Sequence, residues 1–269
     1  MSATTSRATS GEVGIAYERR GTGEPLLLVH GLGYTRGGWG PAADRLAERF
    51  TLVLLDNRGM GESDRPPGPY TVEAMAADAA AVLRDAGIER AHVLGASLGG
   101  MVAQALALAA PELVNRLVLV CTTPGGPEAY PLPDRTQRLF AEVPGLPPAT
   151  ALRRMVENSL ADATVVNDLE LVERLYAYRL VNPPELAAWG AQAAAAAAFD
   201  VHARLGALSA PTLVLHGTAD NVLDHRNADL IAAAIPGATL ERFEGAGHLF
   251  MWEQPDRFAR VVGDFLALR

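Results

Sequence analysis

Short runs of apolar residues recur along the chain, and each ends at a turn signal. Leu26-Leu27-Leu28-Val29 stops at His30-Gly31, Leu52-Val53-Leu54-Leu55 at Asp56, and Ala91-His92-Val93-Leu94 at Gly95. Leu117-Val118-Leu119-Val120 stops at Cys121, and Leu213-Val214-Leu215 at His216-Gly217. Continuous runs of leucine and β-branched residues suit strands buried on both faces of a parallel sheet. Residues 239–243 read as another strand, and residues 13–18 alternate in the manner of an antiparallel edge hairpin.

Helical patterns separate these runs. Residues 71–86 carry Thr71 as N-cap and Gly87 as stop; 98–110 end before Pro111; 227–235 end at Pro236-Gly237. In 255–268, Phe258, Val261, Val262, Phe265 and Leu266 share one helical face. Strand and helix in alternation predict βαβ units around a parallel sheet, an α/β class. Residues 124–209 break this rhythm. They hold no clear strand and read as helices near 135–143, 149–160, 168–180 and 185–199, punctuated by Pro144, Pro147-Pro148 and Pro183-Pro184. The expected organisation is a core of 1–123 and 210–269 with a helical lid at 124–209.

Composition narrows the chemistry. The 269 residues suffice for one substantial core, and a net charge of −8 without a basic stripe argues against nucleic acid. All 23 basic residues are arginine. Without lysine there is no Schiff base, no pyridoxal phosphate enzyme and no Walker-A loop. Cys121 is the only cysteine, so neither an intramolecular disulfide nor a paired-cysteine metal site is expected. No stretch approaches the ~18 apolar residues of a membrane span. Met1 to Ser10, Ser/Thr-rich and without an apolar run, does not read as a secretory signal. A cytoplasmic location is the expectation.

The segment Gly95-Ala96-Ser97-Leu98-Gly99 lies between a strand pattern and a helix pattern. A serine on such a turn projects its hydroxyl from the sheet, and the helix N-terminus beside it favours a developing oxyanion. A serine hydroxyl needs a base, and the base needs an orienting acid. Six histidines offer themselves: His30, His92, His202, His216, His225 and His248. His248, in a glycine-rich loop after the 239–243 strand, is the expected base. His30 and His216 read as loop stabilisers. Asp220, after the strand ending at Leu215, is the expected acid, with Asp224 as the alternative. The order Ser97, Asp220, His248 is the one α/β-hydrolases use.

With these residues in place, the sequence resembles the α/β-hydrolase superfamily over nearly its whole length. His30-Gly31-Leu32-Gly33 resembles the oxyanion loop after the third strand, and residues 56–63 resemble the Asp-x-Arg-Gly-x-Gly-x-Ser loop after the fourth. Residues 95–99 match the nucleophile elbow, 217–220 the acid loop and 245–248 the histidine loop. The resemblance implies a mostly parallel eight-stranded sheet flanked by helices, with the lid between strands 6 and 7. It implies that the backbone N–H groups of Leu32 and Leu98 form the oxyanion hole, and that Asp56 and Arg58 hold loops. Serine at the elbow opens acyl-enzyme chemistry and closes the alkyl-enzyme route of dehalogenases.

The overall look is similar to small bacterial esterases, 3-oxoadipate enol-lactonases and cofactor-free haloperoxidases. The expected activity is hydrolysis of carboxylic esters of small, largely apolar molecules. Alternatives are a lactonase or C–C hydrolase, a perhydrolase, and a ligand receptor on the same scaffold. Tyr34, Phe140, Trp189 and Phe250 are expected to line the substrate pocket, with Trp39, Phe199, Trp252 and Met101 as further apolar candidates. Arg153-Arg154 reads either as a partner for a substrate carboxylate or as a solvated helix face. The expected partner is a small-molecule ester or lactone. No cofactor, metal, nucleic acid or membrane is expected, and the chain reads as a monomer or homodimer.

Overall fold

In a computed structural model, residues 4–268 are described. Eight strands form one sheet: β1 (Thr4–Ser10), β2 (Val13–Gly21), β3 (Glu24–Val29), β4 (Phe50–Leu55), β5 (Ala91–Ala96), β6 (Val114–Val120), β7 (Thr212–Gly217) and β8 (Thr239–Phe243). Their spatial order is β1-β2-β4-β3-β5-β6-β7-β8. The β1–β2 hairpin and the β2–β4 pair are antiparallel, and every later pair is parallel. The chain runs outward from β3 to β4, then returns to the other side of β3 with β5. At that reversal the C-terminal ends of β3 and β5 leave a crevice, the place where open α/β sheets bind ligands.

The alternation of side chains across the pleat explains why the strands read as unbroken apolar runs. Leu27, Val29, Val53, Val93, Leu117 and Leu119 face one core, while Leu26, Leu28, Leu52, Leu94, Val118 and Val120 face another. Helices α1 (Gly40–Ala47), α2 (Val72–Asp85) and α3 (Leu98–Ala109) follow β3, β4 and β5. The first core is covered by α2 and α3, and the second by α1. The Thr71 hydroxyl accepts from the Ala74 N–H at 3.1 Å, so the cap read from sequence starts α2.

Between β6 and β7 lie α4 (Asp134–Glu142), α5 (Pro148–Asn158), α6 (Asp162–Asn167), α7 (Leu169–Val181) and α8 (Leu186–Ala197). No strand interrupts this stretch. The 168–180 pattern is preceded by a separate short helix, α6, because Asp168 caps α7 by accepting from the Leu171 N–H at 3.0 Å. The sheet then closes with α9 (Asn227–Ala234), α10 (Phe250–Glu253) and α11 (Pro255–Leu266). The inserted helices sit over the C-terminal ends of the strands. Val156, Leu171, Val172 and Leu175 join the second core, whereas Ala195 and Phe199 join the first.

Candidate active site

Ser97 stands between the end of β5 and the start of α3 with φ 55 and ψ −121, a backbone conformation that strains any residue with a Cβ. Three contacts fix it. Its N–H donates to the Val120 carbonyl at 2.9 Å, and its own carbonyl accepts from the Thr122 hydroxyl and the Gly100 N–H, both at 2.8 Å. The turn is tight because glycine flanks it. A Cβ on Gly99 would lie 2.0 Å from the Val29 carbonyl oxygen, and one on Gly95 would lie 2.1 Å from that of Gly99.

Asp220, in the loop after β7, is buried and held by four donors. Its Oδ1 accepts from the N–H groups of Val222 (2.7 Å) and Leu223 (3.0 Å). Its Oδ2 accepts from His248 Nδ1 at 2.7 Å and His216 Nε2 at 2.9 Å. Burial alone would raise the Asp220 carboxyl, but the two imidazoles outweigh it and hold the group well below the usual carboxylate range. The reverse holds for His248. Burial disfavours its imidazolium, yet Asp220 raises it well above the ordinary imidazole value of 6.5. The Cys121 thiol beside it is pushed up by burial.

His248 and Ser97 line the same cavity, although Ser97 Oγ makes no hydrogen bond to the imidazole or to any other group among the described residues. Contacts of this kind are commonly loose before substrate arrives. The N–H groups of Leu32 and Leu98 also have no acceptor among the described residues. Leu98 is 1% exposed and is the first residue of α3, where a backbone N–H has no partner within the helix. Gly31 brings the β3 loop against the nucleophile: a Cβ there would lie 3.0 Å from that of Ser97.

The loop after β4 supports this arrangement. Asp56 Oδ1 accepts from the Arg36 N–H at 2.6 Å, and its Oδ2 pairs with the Arg36 guanidinium. Asn57 Nδ2 donates to the His30 carbonyl at 2.9 Å. Arg58 donates to both Asp78 oxygens on α2 at 2.7 Å. Every one of these contacts ends on protein, as expected of loop-holding groups.

The cavity measures about 660 Å³ and is walled mainly by apolar side chains. Tyr34 and Phe140 line it, as do Met101 and Phe199. Phe250 does not. It is fully buried, with ring centroids 4.4 Å from Phe243 and 5.8 Å from Phe258, because α10 turns it into the second core. Trp189 does not reach the cavity either; it packs edge-on behind Phe140 at 5.6 Å and covers Gly33. Trp39 and Trp252 are core residues, the latter donating from Nε1 to the Gly38 carbonyl at 2.6 Å.

Of the other expectations, Asp224 pairs with Arg226 rather than with His248. Arg153 pairs with Glu157 and Glu173, and Arg154 with Glu142, so this pair is a solvated helix face. His92 lies within β5 and bonds Glu24 at 2.8 Å. His30 is buried at the cavity floor, where loss of hydration lowers it to about 3 and keeps it neutral. Two residues take roles at the site beyond the sequence reading, in which His216 is a loop stabiliser and Arg179 is not named. His216 braces Asp220, and Arg179 of α7 lines the cavity while bonding the Gly33 carbonyl.

A single sheet with a strained serine at its switch point, an acid after β7 and a histidine after β8 defines a class of protein. The family model for the alpha/beta hydrolase fold matches residues 24–255, and the chain belongs to that family. It is 32% identical to a 2-hydroxy-6-oxo-6-phenylhexa-2,4-dienoate hydrolase of Comamonas testosteroni, covering 95% of this chain and 92% of that protein. Among solved structures it is 32% identical to a hydrolase from Pseudomonas aeruginosa PA01, with a TM-score of 0.86 over 98% of this chain and 99% of the other. A thermophilic esterase from Thermogutta terrifontis is also 32% identical, with a TM-score of 0.82 over 98% of both chains.

Proposed function

We propose that the protein hydrolyses carboxylic esters of small, largely apolar molecules through an acyl-enzyme on Ser97. The observation that carries this reading is the convergence of Ser97, two backbone N–H groups without an acceptor among the described residues and an Asp220-held imidazole on one apolar cavity. His248 Nε2 takes the Ser97 proton as Oγ bonds to the substrate carbonyl carbon. The carbonyl electrons move onto oxygen, and the Leu32 and Leu98 N–H groups hold that oxyanion. Removing one such donor commonly costs about 3–4 kcal/mol of barrier. The ester C–O bond then breaks, and the alcohol leaves with the proton from His248. Water, deprotonated by the same imidazole, attacks the acyl-enzyme; the acid departs and Ser97 recovers its proton.

The helices between β6 and β7 act as the lid in this reading, since Leu139, Phe140, Met155 and Arg179 close the cavity from above. A second reading, hydrolysis of a carbon–carbon bond by the same residues, is favoured by the identity to the dienoate hydrolase. The test is a pair of measurements on wild type and Ser97→Ala: turnover of p-nitrophenyl butyrate and labelling by a fluorophosphonate probe. Both should vanish in a folded Ser97→Ala protein. Unchanged turnover in that variant would refute the proposal.

A further inference from the structure

Arg179 is the most deeply buried arginine among the described residues, at 2% exposed. Other partly buried guanidiniums in the protein face carboxylates: Arg36 meets Asp56, and Arg58 meets Asp78. Arg179 has no carboxylate within ion-pair distance among the described residues. Its Nη1 donates to the Gly33 carbonyl, and its guanidinium lies 4.1 Å from the centroid of the Tyr34 ring. A carbonyl and an aromatic face offset only part of the cost of taking a cation out of water.

The cavity around it is equally one-sided. Among the described residues no aspartate or glutamate lines it, and Arg179 is the only arginine that does. Neutral His30 adds no second cation nearby. In a chain of net charge −8, the substrate cavity therefore presents one guanidinium with no carboxylate facing it among the described residues, whereas the His248 imidazole is matched by Asp220. A guanidinium offers paired donors that match a carboxylate in plane and spacing.

Building on the hydrolase reading above, we infer that Arg179 binds a carboxylate carried by the substrate, so that the preferred substrates are anionic: an ester or related acyl compound with an apolar body and one free carboxylate. The carboxylate end lies beside Gly33, adjacent in sequence to the Leu32 N–H. The same bond from Arg179 to Gly33 couples recognition of the anion to the position of the oxyanion loop. The surface pair Arg153-Arg154, which sequence alone offers for this role, is already engaged by glutamates.

The test compares the mono-p-nitrophenyl ester of adipic acid with its methyl-capped diester, in which a neutral methyl ester replaces the carboxylate. Wild type should favour the hemiester in kcat/KM by about 10- to 100-fold, the worth of a charged hydrogen bond. In Arg179→Gln, which keeps a donor for the Gly33 carbonyl, the hemiester-to-diester ratio should fall at least tenfold. Arg179→Lys, which keeps the charge but loses the paired planar donors, should retain only part of it. A wild-type preference for the diester, or an Arg179→Gln variant whose ratio does not move, overturns the inference and leaves Arg179 as a brace for Gly33.

A binding arm separates this outcome from failure of the catalytic reading. Monomethyl and dimethyl adipate are titrated calorimetrically into Ser97→Ala and into Ser97→Ala/Arg179→Gln. The added substitution should weaken the monomethyl ester at least tenfold more than the dimethyl ester, whatever Ser97 does. Equal weakening of the two ligands overturns the inference even if Ser97 proves to be the nucleophile. If Arg179→Gln fails to fold, the comparison is made with Arg179→Lys against Arg154→Met. A charge preference identical in those two, with the lysine's geometry altered, also counts against the guanidinium fork.

Discussion

Replacing His216 with phenylalanine isolates one hydrogen bond to the buried carboxylate that orients His248. The phenyl ring is somewhat larger than the imidazole and the site is 1% exposed, so a small packing cost adds to the lost bond. The lost interaction is the 2.9 Å bond from His216 Nε2 to Asp220 Oδ2, one of four donors on that carboxylate. A hydrogen bond to a charged group contributes about 1.5–3 kcal/mol. Against this, His216 Nδ1 is buried without a partner, and removing it recovers part of a desolvation cost. The net expectation is a loss of about 1–2 kcal/mol, which corresponds to a Tm lower by about 2–8 °C for a chain of this size.

The pH dependence gives the same prediction a second handle. Asp220 is depressed in the folded state, so its contribution is present above the unfolded carboxylate pKa of about 3.9 and is lost as pH falls through the lower folded value. His216→Phe brings the folded value back toward the unfolded one. The stability gap between wild type and variant should therefore be full near pH 7 and narrow as pH drops below about 3.9. Urea denaturation across that range, followed by circular dichroism, measures it. On activity, a less firmly held Asp220 should lower kcat about tenfold, 1.4 kcal/mol of barrier, while KM stays nearly constant. A variant equal to wild type in both stability and kcat would refute the assignment of His216 as a positioning residue.

Three further outcomes follow from the same geometry. Because Asp220 raises His248 well above 6.5 and the neutral imidazole is the base, kcat/KM should climb with pH along a limb centred above 6.5; Asp220→Asn should move that limb downward while cutting kcat by roughly 10³- to 10⁴-fold. Gly99→Ala forces a Cβ to 2.0 Å from the Val29 carbonyl oxygen, so calorimetry should show a destabilisation of about 1–3 kcal/mol or more, with hydrolysis lost as the Ser97 turn shifts. Arg58→Met strands Asp78, 1% exposed, without its two 2.7 Å partners and should cost about 3–5 kcal/mol; adding Asp78→Leu should recover most of it in denaturant titration.

Elements with a strong period were legible in the chain itself. The run before Ser97 could only be a doubly buried strand, and Thr71 announced α2 because its hydroxyl answers an N–H three residues on. Weakly patterned elements were not. Helix α1 buries Ala42, Ala43 and Leu46, and two alanines leave little apolar periodicity to detect. Helix α6 buries no residue at all. Direction was also hidden. Phe250 follows His248 by two positions, yet a single helical turn aims it at Phe243 rather than at the cavity. Arg179 reads as one more charge on a helix that also carries Arg174, and only the packing of α7 over the sheet separates the buried arginine from the exposed one.

The polar groups around the switch point fall into two sets, and the division limits what the cavity can receive. Asp56, Asn57, Arg58 and Asp220 all end on protein donors or acceptors and therefore fix shape. Ser97 Oγ, the N–H groups of Leu32 and Leu98, and the remaining faces of the Arg179 guanidinium have no such closure among the described residues. Several unmatched donors gathered around one apolar cavity are what a ligand-binding site presents to its ligand. The unmatched set consists of a nucleophile, two donors for one oxygen and a cation. Its complement is a carbonyl compound that develops negative charge at one end and carries it permanently at the other. An uncharged ester would match the first three groups and leave the fourth buried and idle, which is why the hemiester and its capped twin are the comparison that discriminates.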